Sequence, residues 1–364
     1  CCIPGDIKEE KHIHDISVGR GLLETDILLQ TMLVDMYAKR GLLAKAQEVH
    51  DKLDIQDIIS WSTLIVGYVQ DCQCHEALKC FEQMEGDIFS LDAVVFTCIL
   101  KACGSIGAIE KGKQIHKEIV IRGLLDNNVV LGTALVDMYG KCGLLSKAHQ
   151  VFEELRQRNV VSWSALIANY AQQRQGHEAL CCFEQMQSEG ICPDEVTCLC
   201  VLSACCHSGL LDEAQMLFGN MHKEYGIIPK LAHHTCMVMA FGGAGCFDKA
   251  MSVIKVMPSC DYLAIWLGLL GSCRKWGNVK LGRVAFDRAL QLDDACGTAY
   301  LLMADIFAST GMQNDAEKLE AYMRSKKYAI WIKKQENLWV DSNGNIHSFS
   351  IRNVIHSGEL YRER

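Results

Sequence analysis

The stretch TMLVDMYAKRGLLAKAQEVHDKLDIQDIISWS at residues 31–62 returns without a gap as TALVDMYGKCGLLSKAHQVFEELRQRNVVSWS at 133–164. The offset is 102 residues, and it persists: HEALKCFEQM at 75–84 returns as HEALCCFEQM at 177–186. A chain that repeats itself at a fixed spacing builds one local unit several times and stacks the copies. A spacing of 102 residues is too long for one supersecondary unit, so it must contain smaller ones.

Glycines resolve the smaller period. Gly41, Gly107, Gly143, Gly176, Gly209, Gly245, Gly277 and Gly311 each follow a run with helical apolar spacing. With Cys74 filling one slot, the intervals are 33, 33, 36, 33, 33, 36, 32 and 34 residues. Glycine is favoured just past a helix end because it tolerates positive φ, so each slot is predicted to stop a helix. A second helical run follows each stop, as in LLAKAQEVHDKL at 42–53 or HEALCCFEQMQ at 177–187. Each unit is thus a helix–turn–helix, and such a pair completes its core only by stacking on its neighbours. The long period is three units of 35, 36 and 31 residues. The expected fold class is all-α, an α-solenoid of helix–turn–helix repeats of 31–36 residues.

Composition excludes several alternatives. The chain of 364 residues is 49% apolar, enough for a packed core, and its four prolines and 22% charge argue against disorder. No uncharged apolar run reaches the roughly 18 residues of a membrane span. Twenty cysteines invite a disulfide or metal reading, yet no two stand three apart, so the CxxC of zinc ribbons is missing. They read instead as reduced, mostly buried small apolar residues. The net charge of −8 argues against indiscriminate nucleic-acid binding, which rests on phosphate neutralisation, and leaves room for recognition by hydrogen bonds. The chain opens on Cys1-Cys2 with no leader-like segment, which reads as an internal fragment or a processed form.

The first helices read IISWSTLIVGYVQ (58–70), VLGTALVDMYGKCG (130–143) and VVSWSALIANYAQ (160–172). They lack the Trp-x-x-Leu-Gly pattern of tetratricopeptide repeats and resemble plant pentatricopeptide repeats of the class in which P-, L- and S-type units alternate. FTCILKACGSIGAIEKGKQIH at 96–116 is similar to the L-type unit and ALVDMYGKCG at 134–143 to the S-type unit. The resemblance covers nearly the whole chain and implies a right-handed solenoid. On this register a partial L-type unit occupies 1–26. S-type 27–57, P-type 58–92, L-type 93–128, S-type 129–159 and P-type 160–194 follow. A variant L-type unit (195–230) and a variant S-type unit (231–262) close the array. Residues 263–330 resemble the family's E-type, tetratricopeptide-like extension, and 331–364 an E+-like tail. In that tail NLWVDSNGNIHSFSI (337–351) alternates around Asn343-Gly344, which predicts a short β-hairpin.

The resemblance implies single-stranded RNA binding, with one base read per helical repeat by a few side chains. The family's main readers are the fifth and the last residue of a unit: Thr31 with Asp57, Ser62 with Asp92, Thr97 with Asn128, Thr133 with Asn159, and Ser164 with Asp194. A carboxylate accepts from the Watson–Crick N–H groups of guanine, whereas an amide donates to the ring nitrogen of adenine. The implied RNA is purine-rich, in the order G, G, A, A, G. Leu199 with Lys230 gives no reading. The alternative for every pair is local: a small hydroxyl near a helix start and an Asp or Asn before one are common caps. Ile59, Val130 and Val161 stand second in their units, where the family wedges side chains between bases; ordinary helix packing is the alternative. Lys39 and Lys141 end S-type first helices and are candidates for phosphate contact, or simply suit the helix dipole. Trp61 and Trp163 read as core.

No enzyme is expected, and no cofactor is implied. Relatives often end in a zinc deaminase, whose chemistry needs H-x-E with P-C-x-x-C. His116-Lys117-Glu118 and His222-Lys223-Glu224 match only the first half, and Cys205-Cys206-His207 are adjacent residues that point apart on a helix. No phosphate-binding glycine loop or nucleophile elbow is present. The resemblance implies an organellar site-recognition factor for C-to-U editing, in a mitochondrion or plastid with the mitochondrion favoured. A deaminase or accessory protein would then act in trans, or as a domain beyond Arg364, and no membrane is involved. Two alternatives stay open: RNA stabilisation or splicing by passive binding, and a tetratricopeptide-like protein scaffold. Gln335, Glu336 and Asn337 stand where the family carries a Pro-Gly pair, which places deaminase docking in question. The purified chain should hold no stoichiometric zinc and turn over no cytidine. Zinc-dependent deamination abolished by Glu118→Ala or Glu224→Ala would contradict this.

Overall fold

The computed structural model describes residues 27–53, 57–84, 92–126, 128–257, 262–325, 339–340 and 346–347. These divide between two compact units, Cys1–Gln173 and Arg174–Arg364. Among the described residues of the first unit the helices are α1 (Ile27–Lys39), α2 (Leu43–Asp51), α3 (Ile58–Gln70), α4 (Cys74–Gln83), α5 (Ala93–Ile106), α6 (Ile109–Ile121), α7 (Val129–Lys141), α8 (Leu145–Glu153) and α9 (Val160–Gln172). The second unit holds α10 (Gly176–Ser188), α11 (Glu195–Ser208), α12 (Leu211–Tyr225), α13 (Leu231–Gly243), α14 (Phe247–Val256), α15 (Leu263–Trp276), α16 (Val279–Leu292), α17 (Gly297–Ser309) and α18 (Gln313–Ser325).

In the first unit α1, α3, α5, α7 and α9 pack in a row, each on the next. Helices α2, α4, α6 and α8 form a second layer, each lying against the odd-numbered helix before it and the one after it. The second unit repeats the plan with the row α11, α13, α15 and α17. A helix in the row is therefore enclosed on most sides, and its composition follows. On α5, Val95, Phe96, Ile99, Leu100 and Cys103 are all buried, whereas α6 buries only one stripe at Gly112, Ile115, His116 and Ile119. Full burial of a side chain such as Phe96 or Leu100 is worth roughly 1.5–3 kcal/mol. What remains open on a row helix is one narrow strip, and that strip carries the candidate site.

The 102-residue period is also a period of contacts. His50 meets Trp61 edge-on at 4.2 Å, and 102 positions later Phe152 meets Trp163 edge-on at 4.5 Å. Tyr68 donates its hydroxyl hydrogen to Gln47 at 3.2 Å, and Tyr170 pairs with His149 at 3.0 Å. The close approach of row helices is kept by exchange of bulk. A Cβ at Gly67 would lie 3.1 Å from the Cβ of Ala38. One period on, Asn169 stands for Gly67 and Gly140 for Ala38, and a Cβ at Gly140 would overlap the Asn169 amide. The Asn169 amide uses the space to donate to the Val136 carbonyl at 3.0 Å.

Seven of the predicted glycine stops hold: Gly41, Gly107, Gly143, Gly209, Gly245, Gly277 and Gly311 all have φ between +65° and +80°. Gly176 and its counterpart Cys74 do not. Both begin a second helix, and the left-handed turn residues are Arg174 (φ +58°) and Cys72 (φ +59°), again 102 apart. Glycine at 176 answers a packing need instead. A Cβ there would lie 2.5 Å from Ser208 Oγ, which accepts the Gly176 N–H at 2.9 Å.

Of the cysteines, Cys74, Cys80, Cys103, Cys182, Cys198, Cys205, Cys273 and Cys296 are buried, and all the described ones are free thiols. Burial pushes the Cys103 thiol up to about 12, which keeps it a protonated apolar side chain. Trp339–Val340 pairs antiparallel with Ile346–His347. This two-residue ladder does not by itself make the expected hairpin, whose Asn343-Gly344 turn lies outside the described residues. The partial unit at 1–26 and the Gln335-Glu336-Asn337 departure lie outside them too.

His50 is fully buried, and desolvation lowers its pKa below the ordinary 6.5 despite the opposing charge of Asp51. A depressed histidine binds fewer protons when folded, so its contribution to stability is complete above pH 6.5 and is lost as pH falls through the folded value. His50→Phe, which installs the residue found at Phe152, should keep the packing on Trp61. It should also reduce the drop in unfolding midpoint between about pH 7 and about pH 5, measured by thermal denaturation.

Candidate functional site

Five row helices start on the five candidate last-position readers. Asp57 Oδ1 accepts the Ser60 N–H at 2.8 Å, and Asp92 Oδ1 accepts that of Val95 at 3.0 Å. Asn128 Oδ1 accepts from Leu131 and Asn159 Oδ1 from Ser162, both at 3.0 Å, and Asp194 Oδ1 accepts from Thr197 at 2.8 Å. The capping role is therefore real for all five. It uses the oxygen that Asp and Asn share. The atom that distinguishes them, Oδ2 or Nδ2, makes no hydrogen bond among the described residues, so the cap does not use it.

The fifth-position hydroxyls are less uniform. Thr97 and Thr133 are half-buried and donate back along their own helices, to the Ala93 and Val129 carbonyls at 2.7 Å each. Thr31 and Ser164 are buried, at 8% and 7% exposure. Ser62 is half-buried and has no hydrogen-bond partner among the described residues. It lines a groove of about 350 Å³ between α1, α3 and the start of α5, with Asp35, Lys39, Ile59, Asp92 and Val94. That is within the usual range of small-ligand clefts, roughly 300–1,000 Å³. The structure thus brings together Ser62, Asp92, Ile59 and Lys39 in one place. The reason is helical spacing: Ile59, Ser62, Val66 and Gln70 fall on one strip of α3, and Asp92 caps the next row helix beside it. Ser164 lies in the first unit and Asp194 in the second.

The candidate wedges Ile59, Val130 and Val161 are 59–67% exposed, so ordinary core packing does not account for them. Val94 and Val196 share this exposure, at 58% and 57%, and sequence reasoning missed them. The signal was available. Each of the five capping residues is followed two positions later by Ile or Val. Trp61 and Trp163 are core residues, buried against His50 and Phe152.

Both candidate phosphate lysines are already engaged. Lys39 Nζ lies 2.6 Å from Asp35 Oδ2, and Lys141 Nζ lies 2.7 Å from Asp137 Oδ2. Lys230, in the unit that gave no reading, is tied to Glu195 at 2.5 Å. The two half-matches to a deaminase have structural partners. His116 is buried against the Tyr139 hydroxyl at 2.8 Å, and Glu118 pairs with Arg122 at 2.7 Å. Glu224 accepts from Asn220 at 2.7 Å. Cys205 is buried, and Cys206 donates to the Cys236 carbonyl at 3.3 Å. Among the described residues no group of three or more His, Cys, Asp or Glu is placed to hold a metal ion.

Comparison with known proteins identifies the family. A profile described as PPR repeat matches residues 59–87, 133–160, 196–225 and 232–262, and one described as PPR repeat family matches 158–207. Pentatricopeptide repeat-containing protein At4g16470 of Arabidopsis thaliana is 35% identical over 97% of this chain and 69% of its own length. The chain belongs to the pentatricopeptide repeat family. Two other Arabidopsis thaliana members are CRR2, chloroplastic, at 34% identity over 96% of this chain and 52% of its own, and At2g03880, mitochondrial, at 35% over 92% and 52%. The chain spans about half the length of such relatives. The crystal structure of the pentatricopeptide repeat protein PPR10 in complex with an 18-nt psaJ RNA element superposes with a TM-score of 0.70. It is 15% identical and covers 89% of this chain and 50% of its own. The all-helical repeat architecture is thus that of the pentatricopeptide solenoids. None of the described helices is long and apolar enough to cross a membrane.

Because the cap uses only the shared oxygen, Asp92→Asn should leave the melting curve nearly unchanged, while Asp92→Ala should lose about 1 kcal/mol. Thermal denaturation of the three chains checks this. Equal losses for both variants would show that Oδ2 also supports the fold.

Proposed function

We propose that this pentatricopeptide repeat protein recognises single-stranded RNA by sequence in a plant organelle, and selects sites for C-to-U editing. The observation that carries the reading is the groove that Ser62 and Asp92 line together with the exposed Ile59 and Val94, while Asp92 Oδ1 starts a helix. Ile59 and Val94 are set to flank a base, and Asp92 Oδ2 to accept from its Watson–Crick edge. Relatives named as chloroplastic and mitochondrial, and PPR10 bound to an RNA element, support the class of ligand and the compartment. The mitochondrion is the favoured organelle.

The finer reading follows the repeat register. P-, L- and S-type units alternate in a right-handed array from 27 to 262, followed by an E-type extension at 263–330 and an E+-like tail whose core is a β-hairpin. The five cap residues and their fifth-position partners Thr31, Ser62, Thr97, Thr133 and Ser164 select G, G, A, A, G. Lys39 and Lys141 contact phosphate. Deamination belongs to a protein or domain other than residues 27–262, and the chain itself acts as the address.

In binding selections from a randomised RNA pool, Asp92→Asn replaces an acceptor by a donor while the cap persists. Preference at one nucleotide should move from G toward A by roughly 1–3 kcal/mol, the scale of single-base readouts, with neighbouring preferences intact. Lys141→Ala should instead weaken all sequences alike. An unmoved preference in Asp92→Asn would reduce Asp92 to a cap.

A further inference from the structure

The lysines assigned to phosphate are not bare charges, and the way they are held carries an inference that rests on the RNA-binding reading. On α1, Asp35 holds Lys39 at 2.6 Å, and on α7, Asp137 holds Lys141 at 2.7 Å. Both are i, i+4 pairs with the acid on the N-terminal side, the favourable orientation on a helix. The two pairs stand 102 residues apart, in the S-type units 27–57 and 129–159; the variant S-type unit has Met239 and Gly243 at these positions. The corresponding positions of the P-type first helices hold Val66 with Gln70 and Ala168 with Gln172, which carry no charge. Asp35 also lines the groove with Lys39 and Asp92, so the charged side chains there among the described residues are two carboxylates and one ammonium. Lys141 is fixed along its stem as well. Gly104 of α5 leaves room for it, since a Cβ there would lie 3.4 Å from Lys141 Cδ and 3.5 Å from its Cβ.

We propose that Asp35 and Asp137 are positioning residues that hold the ammonium groups of Lys39 and Lys141 and limit the sequence-independent part of RNA affinity. A passing polyanion meets a neutral pair with an acid at its edge. Phosphate contact requires the ammonium to be shared with, or released from, its carboxylate. The four side chains are 31–69% exposed, so release is inexpensive once bases are seated, yet it opposes binding by backbone alone. The chain's grip therefore depends on its hydrogen-bonding grooves rather than on charge.

The test compares the full chain with the Asp35→Asn/Asp137→Asn variant, using inorganic polyphosphate and single-stranded poly(U) as base-free and purine-free probes. Asp→Asn at these solvent-accessible sites preserves shape, and melting curves confirm that both proteins are folded. The variant should bind polyphosphate more tightly. Its log K against log salt for poly(U) should steepen by about 0.7 for each released lysine. Adding Lys39→Gln and Lys141→Gln should abolish both gains. Unchanged polyphosphate affinity and salt slope, or gains that persist without the lysines, would overturn the proposal and leave two ordinary surface ion pairs. The RNA-binding reading fails separately, if the unsubstituted chain prefers no RNA over polyphosphate of equal charge; the polyphosphate comparison contains no bases and still decides the role of the acids.

Discussion

One hydrogen bond recurs at the start of five row helices, from a backbone N–H to the Oδ1 of an Asp or Asn. It satisfies an orphan donor of the first turn and fixes where each helix begins. Once these starts are set, the apolar residues behind them fall into the two-layer core. Within the first unit the strip ahead of them stays exposed on each row helix, at Ile59, Val94, Val130 and Val161. The same side chain then has one atom spent on the fold and one left over. A cap that uses Oδ1 alone does not compete with the proposed base-reading role of Asp92, so the two explanations of that residue are compatible.

Electrostatics would mislead if taken alone. The chain carries a net charge of −8, and the Ser62–Asp92 groove holds two acids and one lysine. Such a surface repels a polyanion at long range, where only net charge is felt. At hydrogen-bond distance the relevant quantity is which atom faces the base edge. A carboxylate is then an asset, because guanine offers donors. The exposed Ile59 and Val94 add apolar surface at the starts of two otherwise well-buried helices, α3 and α5.

Much of this is legible in the sequence, for identifiable reasons. Helix–turn–helix units follow from glycine spacing and apolar periodicity, and seven of the glycine slots do take the left-handed turn conformation. Gly176 departs from that expectation because a glycine needed for close approach to Ser208 looks the same in sequence as one needed for positive φ. The cap positions are legible as residue types, but sequence cannot say that each side chain caps through one oxygen only. Val94 and Val196 carry the same sequence signal as Ile59, Val130 and Val161, two positions after a capping residue, and only their exposure separates them from core valines. The burial of Thr31 and Ser164, against the open hydroxyl of Ser62, depends on the packing of adjacent helices and has no local signature.

The central claim is a division of labour between two atoms of one carboxylate. A crystal structure of the chain with a purine-rich single-stranded RNA tests it directly. Asp92 Oδ1 should keep its bond to the Val95 N–H while Oδ2 accepts from a guanine held between Ile59 and Val94. A bound RNA that leaves Asp92 untouched, or that breaks the Val95 bond to engage it, would contradict that division.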